Sequence, residues 1–151
     1  MAYLVSSQRA DGAWLPLWFG HEAAPQQENP VYGTAQVVLG LGDDSAVEPS
    51  RQRGREFLRR QQNPDGGWGG ALGTPSSMEE TALALAALGD ELPVTEATQR
   101  GAAWLVNAVE VGAWREPAPI GLYFARLWYF ERLYPLVFAV SALGRLASER
   151  R

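Results

Sequence analysis

Three observations predict an all-α fold built from repeated helical hairpins. A motif recurs around Trp14, Trp68 and Trp114, at spacings of 54 and 46 residues. That interval is too long for one helix and right for a helical hairpin with its loops. The intervals carry helix start and stop signals. No run shows the period-two alternation bounded by tight turns that a strand requires.

The elements follow in order. The chain opens on the end of a helix, Tyr3-Leu4 running to Gln8, and turns at Ala10-Asp11-Gly12. Asn29 caps the next helix, Pro30 takes its first position, and it stops at Gly42. Ser50 is the expected cap of RQRGREFLRRQQ, which ends before Asn63-Pro64. Ser77 and Glu80 form a capping box opening the Met78 to Leu88 helix. Thr95 caps TQRGAAWLVNAVE, closed near Gly112. A long apolar segment from Leu122 is expected to be helical, with Pro135 either kinking it or starting a second helix. The sum is roughly six helices with little or no sheet.

Each repeat places a Gln at a helix end, a turn after it and a Trp just past the turn. Free carbonyls at a helix end need donors. The expectation is that the Gln amide supplies them and that the indole lies over the Gln as a lid.

Composition bounds what the chain does. Its 151 residues are 46% apolar and include six Trp, five Tyr and five Phe, enough for one domain with a core and too apolar for disorder. A net charge of −4 argues against nucleic-acid binding, which needs a basic stripe. All thirteen basic residues are Arg, read as genome composition. The absence of Cys excludes disulfides, thiolate metal sites and a Cys nucleophile. No stretch reaches the ~18 apolar residues of a membrane span, and the N-terminus lacks a signal-peptide pattern. A cytoplasmic protein, with membrane-surface association left open, is expected. His21 stands alone beside Glu22, whereas a metal site needs several ligands. With no P-loop, dinucleotide fingerprint or nucleophile elbow either, no cofactor is expected.

The repeat reads Arg53-Gly54-x-x-Phe57-Leu58-x-x-x-Gln62-x-x-x-Gly66-x-Trp68. Residues 3–14 match what is present of it, and residues 100–114 match loosely, with Val109 in the Gln position. This resembles the QW repeat of triterpene cyclases, the squalene–hopene and oxidosqualene cyclase family. Trp18-Phe19-Gly20 with Tyr32-Gly33-Thr34, the stretch TPSSMEETALALAAL at 74–88, and the aromatic-rich 121–146 are similar to further family segments in the family's order. The resemblance covers residues 1–151 as a single domain corresponding to the last part of a cyclase. It implies an α/α toroid, of which about three hairpins would make half, around a cavity for a polyprenyl or triterpene hydrocarbon. There an Asp of a DxDD motif protonates an alkene or epoxide and aromatic faces stabilise the carbocation.

No DxDD occurs in this chain. Asp43-Asp44 follows a helix end and reads as a solvated loop. For Glu79-Glu80, the capping box accounts for Glu80 and the helix dipole for both. No catalytic residue is therefore assigned. The resemblance implies substrate-facing roles for Tyr32, at the tyrosine of the family's YGT segment, and for Trp18 and Phe19 as cavity wall. Aligning Tyr134-Pro135 with the family's Phe-Pro places Tyr123, Leu127 and Phe130 at its three cavity positions, on one face if the segment is a helix; Leu127 departs from the aromatic pattern. Trp128 and Tyr129 would point elsewhere.

A half ring leaves an apolar concave face bare. A second copy, an N-terminal half bearing DxDD, or collapse of the helices upon one another would each relieve this; the first repeat, cut short at Met1, favours a piece of something longer. The expected function is a cyclase component contributing cavity wall, inactive alone. If active with a partner chain, it is an intramolecular transferase (isomerase). The alternatives are a non-catalytic isoprenoid or lipid-binding module and a protein–protein scaffold; aromatic inner positions speak against the scaffold.

Overall fold

The computed structural model describes residues 2–42, 45–89, 94–122 and 126–148. Six helices and three short strands run in the order α1 (Ala2–Ser7), β1 (Phe19–Gly20), α2 (Pro30–Gly40), α3 (Glu48–Arg60), α4 (Met78–Leu88), α5 (Glu96–Glu110), β2 (Pro119–Leu122), β3 (Leu127–Phe130) and α6 (Tyr134–Ser148). The helices alternate between two layers. Helix α4 packs between α2 and α6 to form the inner layer, and α3 and α5 back it from outside. All eleven residues of α4 are buried, which is why that helix is apolar all round beyond its first turn.

Helix starts follow the capping chemistry. Asn29 accepts the Tyr32 N–H at 3.0 Å, Ser77 accepts the Glu80 N–H at 3.1 Å, and Thr95 accepts the Thr98 N–H at 3.2 Å. Helix α3 differs. It begins at Glu48, with Val47 as the capping residue and Pro49 in the first turn, so Ser50 lies inside the helix and is buried. Proline's fixed φ sets this start without a side-chain cap.

The segment expected to be helical from Leu122 is instead a hairpin. β2 and β3 pair antiparallel, and β1, a hundred residues upstream, adds to the other edge of β2. Helix α6 starts only at Tyr134, with Pro135 buried in its first turn, the second of the two roles allowed for that proline.

The repeats interlock in a way that moves the helix-end donor role from Gln to Trp. The indole is the donor to the helix end: Trp14 Nε1 reaches Leu4 O and Trp68 Nε1 reaches Leu58 O, each at 2.7 Å. The Gln spans two repeats. Gln8 Nε2 donates to Gly12 O and to Ser50 O in α3, both at 2.9 Å. Gln62 Nε2 donates to Gly66 O and to Ala97 O in α5, both at 2.8 Å. The glycine of each repeat receives the preceding Trp. A Cβ on Gly54 would lie 2.8 Å from the Trp14 ring, and one on Gly101 would lie 2.4 Å from the Trp68 ring. The turn glycines Gly12 and Gly66 adopt φ of +94° and +96°, where a side chain is strained. In the third repeat Val109 replaces the Gln, and Trp114 is covered by its neighbour Arg115, whose guanidinium sits 4.1 Å from the ring centroid.

Candidate functional site: an aromatic cluster at the N-terminal end of the inner layer

The N-terminal ends of α2 and α4 are braced together. Asn29, which caps α2, donates from Nδ2 to Glu80 Oε1 at 2.8 Å, and the Ser77 hydroxyl meets the other Glu80 oxygen. Both Asn29 and Glu80 are buried, and this polar brace fixes the relative height of two inner helices. It also fixes Tyr32, one turn into α2.

Tyr32 lies against Phe19 of β1, ring centroids 6.1 Å apart and tilted by 59°. Tyr134 and Phe138, on the first turns of α6, pair at 5.2 Å. Burial, with the nearby Tyr134 hydroxyl, pushes the Tyr32 phenol above its ordinary pKa, against a lowering hydrogen bond with Gln36. Tyr129 is raised as well, by partial burial and then by Tyr134 and Glu131. Both phenols therefore stay protonated through the physiological range.

The sheet decides which expected residues come together. Phe19 stands opposite Leu122, and Leu122 opposite Leu127, so these three share one sheet face. Residues alternate along a strand, so Tyr129 shares the face of Leu127 while Phe130 takes the opposite one. This corrects the helical stripe: Leu127 and Phe130 do not point the same way, and Tyr129, expected to point elsewhere, belongs with Leu127. Tyr123 lies outside the described residues, as do Asp43 and Asp44. Trp18, Leu127 and Phe130 are 62%, 58% and 59% exposed, a bare apolar rim along the sheet. Beside it, Tyr3, Leu4, Trp14, Leu17, Tyr32 and Val37 line a groove of about 440 Å³ between α1 and α2.

Sequence reasoning set Glu79 aside as a helix-dipole carboxylate. It is 5% exposed, and burial, with a smaller push from the adjacent Glu80, carries its carboxyl up to about 7 against a lowering hydrogen bond from Ala118. The chain thus holds a buried acid of raised pKa although it has no DxDD. A group that binds its proton this firmly is a poorer donor to an alkene than an ordinary carboxyl, and is better suited to accepting or holding a proton. Its only sequence signal is a carboxylate at the start of an otherwise apolar helix. His21, buried on Gly70, accepts the Ala23 N–H at Nδ1, 3.3 Å away, and so stabilises its own turn.

Comparison with known proteins bears directly on this arrangement. The family described as squalene-hopene cyclase C-terminal domain matches residues 1–148. The chain belongs to that family. Among its curated relatives is a squalene–hopene cyclase of Bradyrhizobium diazoefficiens, 30% identical across 99% of this chain and 24% of that enzyme. The chain spans about a tenth to a quarter of the length of the curated relatives it matches. Among solved structures, ent-copalyl diphosphate synthase from Streptomyces platensis superposes with a TM-score of 0.70 at 22% identity, covering 97% of this chain and 27% of that one. A complex of the type II terpene cyclase MstE from Scytonema with geranylgeranyl dihydroxybenzoate, its substrate, gives 0.60 at 16% identity, covering 97% of this chain and 48% of that one. These likenesses establish the fold: the alternating layers are those of the terpene cyclase α/α barrel, and the three-stranded sheet is a minor addition to it.

Proposed function

We propose that this chain supplies part of the wall of a polyprene-binding cavity in a class II terpene cyclase, and that it is inactive alone. The observation that carries the reading is the convergence of Phe19, Tyr32, Leu127, Tyr129, Tyr134 and Phe138 at one end of the inner layer. Ring faces there offer negative quadrupoles to a carbocation, a contribution of ~2 kcal/mol or more each in a dry site. Within this reading Trp18, Phe19, Tyr32, Tyr123 and Leu127 are the substrate-facing residues, joined by Tyr129 and Tyr134, while Phe130, on the other sheet face, leaves that set. The initiating acid comes from a second half, either a DxDD-bearing segment or chain; a second copy would close the ring without supplying that motif. The exposed apolar rim also suits a cytoplasmic protein resting on a membrane surface.

The test is incubation of the full chain with squalene, alone and with a DxDD-bearing half of a family cyclase. Saturable quenching of Trp fluorescence by the chain alone, and cyclised hydrocarbon in the mass spectrum only with the second half, is the expected result. Absence of both binding and product overturns the reading. Binding without product in either mixture favours a carrier, the alternative to which the 440 Å³ groove lends support.

A further inference from the structure

Glu79 and Glu80 are neighbours in the first turn of α4 with opposite surroundings. Glu80 is held by Asn29, Ser77 and the backbone. Glu79 Oε1 accepts the Ala118 N–H at 2.7 Å, and Oε2, fully buried, has no hydrogen-bond partner among the described residues. Ala118 directly precedes β2. One hydrogen bond accepted by one carboxyl thus ties the start of the central strand of the sheet to the middle helix of the inner layer.

We propose that Glu79 is a positioning residue, a proton-gated latch that holds the β2–β3 hairpin on α4 while its carboxyl is neutral and releases it on ionisation. The proposal rests on the reading above only in treating that hairpin as cavity wall. An ionised carboxylate has lone pairs that one amide does not satisfy, and leaving them in an apolar site is costly. Water reaches Oε2 most readily if the hairpin lifts. The Ala118 bond favours the ionised form and offsets part of this cost, but burial outweighs it, and the titratable groups around the site add no relief. Glu80 lies on the same helix and raises the carboxyl's pKa further. His21 and Glu116 line the cleft that Ala118 and Pro119 also line. Tyr32, Tyr129 and Tyr134, on α2, β3 and α6, couple to one another, and Tyr32 to Glu80 as well.

Linkage sets the size of the effect. The carboxyl titrates near 7 with the hairpin closed and at 4.5 when solvated, so the opening equilibrium should grow about tenfold between pH 6 and pH 8. Hydrogen–deuterium exchange of the full chain reads this directly. After correction for intrinsic exchange, amides of segments 118–122 and 126–130 should open about tenfold more at pH 8 than at pH 6, while amides of α3 and α5 stay unchanged. In Glu79→Gln, neutral at both pH values, the ratio should fall to about one. A wild-type ratio near one, an increase shared equally by α3 and α5, or a tenfold increase retained in Glu79→Gln would each overturn the latch. The wild-type profile alone decides the matter if the variant fails to fold. Because the readout involves no polyprene, a failure here is separate from a failure of the cavity reading.

Discussion

Replacing Gly101 by Ala tests the joint between repeats. A Cβ there would stand 2.4 Å from Cζ3 of Trp68 and 2.9 Å from Cδ2 of Leu85, against ordinary carbon contacts of ~3.5–4.0 Å. The indole has little room to retreat: it is 0% exposed and its Nε1 is pinned to Leu58 O at 2.7 Å. Overpacking a core costs about 1–3 kcal/mol, and an overlap beyond about 1 Å against a pinned ring belongs at the upper end. Alanine returns about 1 kcal/mol through helix propensity. The net loss is about 2 kcal/mol, or roughly 4–8 °C in Tm for a domain of this size. Gly144 provides the matched control. It lies inside α6, and a Cβ added there would meet no atom within 4 Å, so Gly144→Ala should gain up to about 1 kcal/mol and melt roughly 2–4 °C higher. Thermal unfolding followed by far-UV circular dichroism and by Trp fluorescence measures both. If Gly101→Ala melts at or above the wild type, the Trp68 ring does not rest on α5 and the clamp is wrong.

Gln62→Ala removes two 2.8 Å bonds that join successive repeats and should lower urea stability by about 2 kcal/mol, whereas Val109→Gln, at a position without such a partner helix in the described chain, should stay within about 0.5 kcal/mol. Asn29→Ala loses both a helix cap and the brace to Glu80, and should cost about 2 kcal/mol in the same assay. Between pH 4.5 and 7 the folded chain keeps a proton on Glu79 that the unfolded chain has released, so this group's contribution falls as pH rises. The loss, up to about 3 kcal/mol, is complete above pH 7, and chemical denaturation of Glu79→Gln at pH 5 and pH 8 should show that slope removed.

Local chemistry made the helices legible. Asn29, Ser77 and Thr95 cap through contacts three residues long, and the recurring Gly and Trp positions announced the packing of hairpins. What escaped the sequence depends on distant partners. The aromatic run at 127–130 lacks polar alternation and reads as helix, yet it becomes a strand because β1 and β2 supply a paired edge. Helix and strand then disagree about which side chains share a face, so Tyr129 replaced Phe130 beside Leu127. The Gln partners were misassigned because the long-range acceptors, Ser50 O and Ala97 O, lie 42 and 35 residues away. Glu79 looked like a helix-dipole carboxylate, and its pKa rises because the folded chain buries it, an effect the Ala118 hydrogen bond only partly offsets.

Because both joints between successive repeats use one repeat's Gln and Trp and the next repeat's Gly and first-turn carbonyl, neither hairpin at a joint owns it. Gene duplication or loss of a whole unit would therefore leave compatible surfaces on either side of the splice, whereas a break inside a unit would orphan two joints at once. Such a chain lengthens and shortens in whole links.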